Sequence, residues 1–301
     1  MPADSGYRGR FAPSPTGPLH FGSLVAAVAS YADAISNSGE WLVRIEDLDP
    51  TREQPGAAEL IVESLVRHGM VFSEPVRQSE RSGLYGRAMQ TLLAADAAYP
   101  CSCSRKKLTR EAAPGIAGLI YPGTCRRRPA PPGANAVRFK CDSASITYQD
   151  EIQGLQHIAL GDQIGDFLLR RGDGYFAYQL AVAVDDHAQG ITHVLRGTDL
   201  LLSTFMQIAV LRKLALEPPR YGHFPVVRGP DGRKLSKQNR STPLNNKICK
   251  NNILNALIYL KHDPPRALKS ASLTDIWSWV AQHWTLSKLY AMRSDTDKGY
   301  D

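Results

Sequence analysis

The fold is indicated most clearly by the stretch Arg10-Phe11-Ala12-Pro13-Ser14-Pro15-Thr16-Gly17-Pro18-Leu19-His20-Phe21-Gly22-Ser23. It begins as a short strand, and its prolines make the following turn rigid and non-helical, because proline lacks an N–H and fixes φ. From Ser23 onward small and apolar residues recur at helical spacing, which predicts a buried helix. A strand, a rigid turn and a helix in this order offer backbone N–H groups and a helix N-terminus to an anion.

The segments that follow continue this alternation. Residues 41–45 are typical of a strand, and residues 57–68, closed by Gly69, of a second helix. Later predicted elements are strands at 176–184 and 191–195, and helices at 200–214, 252–260 and 273–284. Strands and helices that alternate at this spacing predict an α/β fold with a parallel sheet.

Composition excludes several classes of protein. The chain has 301 residues, of which 43% are hydrophobic and 22% charged, as in ordinary globular proteins. No apolar run approaches the roughly 18–20 residues of a membrane span, and residues 1–10 do not resemble a signal peptide. The five cysteines are an odd number, which argues against a disulfide framework. We therefore expect a cytoplasmic protein.

The formal net charge of +7 is unevenly distributed. Residues 101–140 hold nine Lys or Arg against one acid, and residues 228–250 hold seven against one. Basic patches of this kind suit a polyanion such as RNA. A solvated basic face is the alternative interpretation.

Two short segments carry phosphate chemistry. His20, Gly22 and Ser23 lie at the predicted helix start, where His20 can donate to a phosphate oxygen and Gly22 permits close approach of a nucleotide. Lys234, Ser236 and Lys237 lie in a Gly-rich loop from which a lysine can reach a pyrophosphate. Each segment alone is weak, since a histidine in a turn or solvated lysines would look the same.

Taken together, these segments resemble the two signatures of the class I aminoacyl-tRNA synthetases. Residues 10–17 and 44–49 are similar to the glutamyl branch of that family, and the resemblance spans about residues 8–245. Within the branch, residues 20–23, 175–182, 184–190 and 234–238 resemble truncated paralogues that act on tRNA(Asp). The resemblance implies a Rossmann-type catalytic domain, ATP binding through the two segments, and His20 and Lys237 as the catalytic residues.

Glutamate binding requires partners for two carboxylates and one ammonium. The planar fork of Arg10 suits a carboxylate, and Glu46, at the end of a strand, can hold the ammonium. An ion pair of Glu46 with Arg44 or Arg52 is the alternative. The resemblance adds further residues to the predicted glutamate site: Phe11, Ala12, Pro13, Ser14, Tyr178 and Arg196.

Cys101, Cys103 and Cys125 lie close together in a Pro- and Arg-rich segment with little periodicity. Three thiolates in a segment too small to build a core predict a structural zinc site; reduced free cysteines are the alternative. Spacing leaves the fourth ligand open, and Cys141 is chemically better than a phenol. The resemblance, however, implies Tyr121.

The cluster Asp185-Asp186-His187 admits two interpretations. Hydrogen bonds that brace the amino-acid pocket are favoured, and a metal site is the alternative.

The predicted domains are residues 1–98, the first half of the catalytic domain; 99–135, a zinc-binding insertion; 136–245, the rest of the catalytic domain; and 246–301, a small helical region. Only 64 residues follow Lys237, too few for the anticodon-binding domains of a full glutamyl-tRNA synthetase. We therefore expect the catalytic body to select the RNA itself, and we expect a monomer.

The resemblance implies two reactions. L-glutamate and Mg-bound ATP form glutamyl-adenylate without tRNA, and the glutamate then passes to queuosine at the wobble position of tRNA(Asp). The basic segment 105–128 is a candidate surface for the anticodon stem-loop. The rival functions are a truncated glutamyl-tRNA synthetase that charges tRNA(Glu), a non-catalytic RNA-binding paralogue, and a nucleotidyltransferase of the same superfamily.

Overall fold

A computed structural model describes residues 6–128, 130–142, 145–227 and 242–293. Lys234, Ser236 and Lys237, predicted to bind ATP, lie outside the described residues.

Ten helices occur in the described part of the chain. They are α1 (Phe21–Ser36), α2 (Ala57–Arg67), α3 (Ser82–Ala94), α4 (Arg105–Glu111), α5 (Thr124–Arg127), α6 (Leu160–Gln163), α7 (Tyr178–Ala188), α8 (Leu201–Lys213), α9 (Cys249–Tyr259) and α10 (Leu273–His283). Short 3₁₀ turns lie at Gln78–Arg81, Thr198–Leu200, Arg266–Lys269 and Leu286–Met292.

Twelve strands occur in the same described ranges. They are β1 (Arg8–Phe11), β2 (Glu40–Ile45), β3 (Val76–Arg77), β4 (Ala98–Cys101), β5 (Ala113–Gly115), β6 (Gly118–Ile120), β7 (Ala136–Phe139), β8 (Ser145–Asp150), β9 (Gly154–Ala159), β10 (Leu168–Arg170), β11 (His193–Gly197) and β12 (Arg220–Phe224).

The central sheet is parallel and is built from two groups of strands. One group has the order β1-β2-β3, with all pairs parallel. The other has the order β11-β12-β8-β9, in which only the β8–β9 hairpin is antiparallel. The N–H of Thr192 donates to the carbonyl of Arg8 at 2.9 Å, so the two groups meet where β11 lies beside β1. The predicted α/β fold with a parallel sheet is confirmed.

Helix α1 is the centre of the larger core. Its small and apolar side chains are almost entirely buried between the sheet and the C-terminal helices α9 and α10. The few polar groups buried there are paired: Trp41 donates to Ser30 Oγ at 3.0 Å, and Trp284 donates to Asp33 at 2.9 Å. The C-terminal helices thus complete the hydrophobic core on one side of the central sheet.

The segment between β4 and β7 has an irregular structure of its own. It contains two short helices, α4 and α5, and the hairpin β5–β6. Strands β4, β7 and β10 form a small antiparallel sheet beneath it. Its buried residues, Cys101, Tyr121 and Cys125, form a separate cluster that is too small to stabilise a domain.

The predicted strand at residues 176–184 is wrong, because Tyr178–Ala188 form helix α7. This helix is buried on nearly all sides in its first two turns, from Leu180 to Asp186. A helix without a polar face shows no amphipathic period, so an apolar run of this length cannot be distinguished from a buried strand.

Among the described residues, no helix has both the length and the apolar character needed to span a bilayer.

Candidate active site

A cavity of about 410 Å³ opens at the carboxyl ends of β1, β11 and β12. The chain leaves β1 through α1 toward one side of the sheet and leaves β11 through α8 toward the other, so the cavity lies where the strand order reverses. Ligands of open α/β sheets bind at this position. The cavity is lined by Arg10, Phe11, Ala12, Pro13, Ser14, Thr16, Leu19, His20, Gly22, Ser23, Ala26, Tyr178, Leu195, Arg196, Gly197, Asp199, Leu200, Phe224, Val226 and Val227.

This cavity brings together most of the residues predicted for the two substrates. His20, Gly22 and Ser23, expected at ATP, lie in the same cavity as the residues expected at glutamate, with one exception. The exception is Glu46, which is buried and does not line it. Gly197 and Asp199 were missed from the sequence, although their position just after the strand predicted at 191–195 was a usable signal.

His20 is the N-cap of α1. Its backbone is extended, with φ −116° and ψ 171°, and its Nδ1 accepts from the N–H of Ser23 at 3.1 Å. The ring proton must therefore lie on Nε2, which is 3.0 Å from Ser23 Oγ. The imidazole thus caps the first turn of α1 through Nδ1, and its one N–H, on Nε2, lies next to the hydroxyl of Ser23.

Arg10 and Arg44 share a buried carboxylate. Arg10 donates to both oxygens of Asp186, from Nε at 3.2 Å and from Nη2 at 3.3 Å. Arg44, which is fully buried, donates to Asp186 Oδ1 at 2.6 Å and to Gln189 at 2.6 Å. Burial opposes ionisation of Asp186, but the two arginines hold its pKa below the usual range.

Asp185 accepts hydrogen bonds from three other side chains. Gln78 and Tyr85 contact Oδ2 at 2.8 Å each, and Arg81 contacts Oδ1 at 2.6 Å. His187, the third member of the acidic cluster, is exposed. Both carboxylates are thus engaged in hydrogen bonds, but only Asp186 contacts a residue that lines the cavity, Arg10.

Glu46 lies directly after β2 with an incompletely satisfied carboxylate. Its N–H donates to the carbonyl of Pro13 at 3.0 Å, which ties it to the turn that lines the cavity. Its Oε1 is buried with no hydrogen-bond partner among the described residues, and the guanidinium of Arg44 is 4.0 Å away. Burial raises the pKa of Glu46 to about 7, although Arg44 and Arg10 act in the opposite direction.

Arg196 lies at the end of β11, with its side chain held by several groups. Nη2 donates to Thr204 Oγ1 at 2.7 Å and to Gln207 Oε1 at 2.8 Å. Nη1 is 3.4 Å from the hydroxyl of Tyr178, and Nε is 3.0 Å from His223 Nε2. Thr204, Gln207 and His223 were not predicted, and nothing in their sequence spacing connects them to Arg196.

The cysteine cluster is about the size of a metal site. The sulfurs of Cys101, Cys103 and Cys125 lie within 4.8 Å of one another, the only such group of His, Cys, Asp or Glu in the described ranges. The hydroxyl of Tyr121 is 3.5 Å from Cys101 Sγ and 3.3 Å from Cys103 Sγ. Cys141 is not in this group, and its thiol donates instead to the carbonyl of Gly165 at 3.0 Å.

Arg138 of β7 borders this cluster. Its Nε donates to Cys101 Sγ at 3.3 Å, and its guanidinium lies 3.9 Å from the centre of the Tyr121 ring. It also donates to the carbonyl of Asp166 at 2.7 Å. Arg138 thus places a buried positive charge against both a thiol and a phenol ring of the cluster.

Comparisons with known proteins identify the family of this chain. A sequence model of the family described as "tRNA synthetases class I (E and Q), catalytic domain" matches residues 7–260. A protein of Chromobacterium violaceum named "Glutamyl-Q tRNA(Asp) synthetase" is 46% identical over 288 residues, which cover 95% of this chain and 96% of that protein. A protein of Dechloromonas aromatica with the same name is 48% identical over 286 residues, 94% of this chain and 95% of that protein.

A solved structure with a similar fold is a glutamate tRNA ligase from Elizabethkingia meningosepticum, determined in complex with its amino acid. It superimposes with a TM-score of 0.80 and is 27% identical in sequence. The match covers 95% of this chain and 66% of the ligase, so this chain spans about two thirds of the ligase's length.

Proposed function

We infer the function of this chain from its family. The chain belongs to the class I tRNA synthetases of the glutamyl and glutaminyl group and is therefore a ligase. We propose that it activates glutamate with ATP in the absence of tRNA and transfers the glutamate to queuosine at the wobble position of tRNA(Asp). This is the reaction expected of a protein so similar, over nearly its full length, to glutamyl-Q tRNA(Asp) synthetases.

One observation supports the proposal: a single cavity is lined both by the turn proposed to bind phosphate and by all but one of the groups proposed to bind the amino acid. His20 and Ser23 lie at the positive end of α1, where an ATP phosphate is stabilised. Arg10 and Arg196 offer guanidinium groups to the two carboxylates of glutamate. Oε1 of Glu46, which has no hydrogen-bond partner among the described residues, is the proposed partner of the ammonium group.

The first reaction forms a mixed anhydride. The α-carboxylate of glutamate attacks the α-phosphorus of ATP, a P–O bond forms, and pyrophosphate leaves with the electrons of the broken P–O bond. No protein nucleophile is required, since positioning and charge stabilisation suffice for such a transfer. The Nε2–H of His20 and the side chain of Lys237 are the proposed donors to the phosphates.

The second reaction transfers the glutamyl group to RNA. A hydroxyl of the queuosine cyclopentenediol attacks the acyl carbon, an ester forms, AMP leaves, and the hydroxyl proton is released. The RNA substrate therefore has to bring its anticodon loop to the cavity.

Transfer of labelled glutamate tests this function directly. We expect labelling of tRNA(Asp) that contains queuosine, and none of unmodified tRNA(Asp) or of tRNA(Glu). Glutamate-dependent ATP–pyrophosphate exchange without any tRNA should accompany it. Labelling of tRNA(Glu) instead would identify a truncated glutamyl-tRNA synthetase.

We further propose that the cysteine cluster holds one structural zinc ion, with Cys101, Cys103, Cys125 and Tyr121 as ligands. Tetrahedral zinc with thiolates at about 2.3 Å places the sulfurs about 3.8 Å apart, and the spacing of these ligand atoms fits. The ion would supply folding energy to a segment without a core and no chemistry to the reaction. Zinc analysis of protein never exposed to chelator should give about one equivalent; a content near zero contradicts the proposal.

A further inference from the structure

Arg196 and His223 lie side by side in the central sheet. They are register partners on the parallel strands β11 and β12, so their side chains point to the same face. His223 is fully buried, and its other ring nitrogen is 2.5 Å from Asp150 Oδ2 at the end of β8. Three strands thus contribute one residue each to a buried row of Asp150, His223 and Arg196.

The donors of Arg196 determine the state of the histidine. The Nε of a guanidinium is always a donor, so His223 Nε2, at 3.0 Å, has to accept. The imidazole is then neutral with its proton on Nδ1, and this proton is donated to Asp150. Burial and the charge of Arg196 both lower the pKa of His223, in agreement with a neutral ring.

Asp150 is fixed by the backbone around it. Its Oδ1 accepts from the N–H groups of Ile152 at 3.0 Å, Gln153 at 2.8 Å and His223 at 3.1 Å. Three converging donors prevent rotation of the carboxylate and leave Oδ2 to the imidazole. Burial opposes its charge, but the hydrogen bonds from His223 and the backbone hold the pKa of Asp150 below the ordinary value.

These contacts determine which edge of Arg196 faces the ligand. Nε is occupied by His223, and Nη2 by Thr204 and Gln207. Among the described residues, the one hydrogen bond of Nη1 is a long contact of 3.4 Å with the hydroxyl of Tyr178. Arg196 and Tyr178 both line the cavity. We propose that Asp150 and His223 are positioning residues that hold Arg196 with its Nη1 edge toward the amino-acid carboxylate.

This inference rests on the proposed function, and Asp150→Asn tests it with an almost isosteric change. The three backbone donors require the amide oxygen at the position of Oδ1, so the NH₂ group has to face His223. His223 Nδ1 must then accept, its proton moves to Nε2, and two N–H groups face each other at Arg196. We expect the KM for glutamate in pyrophosphate exchange to rise about 10- to 100-fold, with kcat and the KM for ATP nearly unchanged.

A second pair of variants does not depend on Asp150→Asn folding. Glutamine at position 223 places its amide oxygen near the former Nε2, whereas asparagine ends near Nδ1. His223→Gln should therefore keep a glutamate KM close to wild type, and His223→Asn should raise it. Equal KM values for the two variants would overturn the proposal.

The ¹⁵N chemical shifts of His223 give a readout independent of activity. They should report the Nδ1–H tautomer in wild type and the Nε2–H tautomer in Asp150→Asn. Asp33→Asn is the matched control, since Asp33 is a buried carboxylate that accepts from Tyr7 and Trp284 far from the cavity. It should change stability and not the glutamate KM.

These measurements distinguish a failure of the proposed function from a failure of the positioning role. If wild type shows no glutamate-dependent exchange, the proposed function fails whatever the tautomer is. If exchange is normal and Asp150→Asn keeps the wild-type KM, the positioning role alone fails.

Discussion

At the scale of single residues, the buried charges next to the cavity form ion pairs with opposite charges. Asp186 is the counter-charge of both Arg10 and Arg44. Asp186→Asn should therefore destabilise the protein by about 3–5 kcal/mol, because buried Arg10 loses its ion-pair partner and buried Arg44 loses the nearest of its carboxylates. Urea unfolding followed by circular dichroism measures this free energy.

A surface ion pair provides the comparison. Lys213 and Asp142 are 3.2 Å apart and about half exposed. Asp142→Asn should change the free energy of unfolding by less than about 1 kcal/mol. A similar cost for both variants would contradict the role given to Asp186.

The pKa of Glu46 predicts a pH dependence of glutamate binding. Burial raises this pKa to about 7, so below that value the carboxyl is neutral and cannot pair with an ammonium. The glutamate KM should fall as the pH rises through about 7, and Glu46→Gln should abolish this dependence. Pyrophosphate exchange at a series of pH values measures it, with the KM for ATP as the internal control.

The same shift has a consequence for stability. The folded-state pKa is above the unfolded value, so the folded protein retains this proton over a range in which the unfolded chain has lost it. The contribution of Glu46 to stability is present at low pH and is lost as the pH rises through about 7.

The sequence pointed to single residues of the cavity where a compact motif contains them. Arg10 and His20 lie within one continuous stretch, and the chemistry of that stretch is local. Asp150 and His223 are 73 positions apart and meet Arg196 only because β8, β12 and β11 are neighbours. No spacing rule connects such residues before the strand order is known.

At the scale of elements, His20 caps the start of α1 and also has a proposed role in glutamate activation. His20→Ala should cost about 1 kcal/mol, the usual effect of losing a helix cap, and should abolish glutamate activation. His20→Asn should keep the stability, because asparagine is a good N-cap, and still lose activation. Thermal unfolding and pyrophosphate exchange on both variants separate the two roles.

The segment from β4 to β7 should depend on the proposed zinc ion. Its own buried cluster consists of only three residues, so on this proposal the ion supplies most of its folding energy. Chelation should expose residues 102–128 to proteolysis while the central sheet remains protected. Cys125→Ser should behave like the chelated protein, and Cys249→Ser, which changes a cysteine of α9, should not.

The elements differ in how well the sequence predicts them. β1, β2, α1 and α2 were predicted to within a few residues, because their polar boundaries interrupt a clear period. Helix α7 was mistaken for a strand, because packing on all sides removed the period that identifies a helix.

At the scale of the whole molecule, the basic surface and the cavity belong to different parts of the chain. Arg127 and Arg128 are exposed, whereas Arg126 donates to the carbonyl of Cys141 at 2.7 Å and pairs with Asp166. Charge reversal at Arg127 and Arg128 should therefore weaken transfer to RNA without disturbing the fold. Activation of glutamate should be unchanged.

Salt dependence checks this assignment. Loss of phosphate contacts should flatten the dependence of RNA binding on salt concentration, by about one unit of slope per contact. An equal loss of activation and transfer in the double variant would refute a role confined to RNA. Charge reversal at Lys213, exposed and distant in sequence, is the control.

The junction of β1 with β11 also bears on the kinetics of folding. Arg8 and Thr192 are 184 positions apart, and the cavity has walls from both sides of this junction. Because contacts so distant in sequence close at an entropic cost, we expect the complete binding site to form late in folding. A substrate that bridges the junction stabilises the native state more than the transition state, and therefore prolongs the lifetime of the folded enzyme without accelerating its folding.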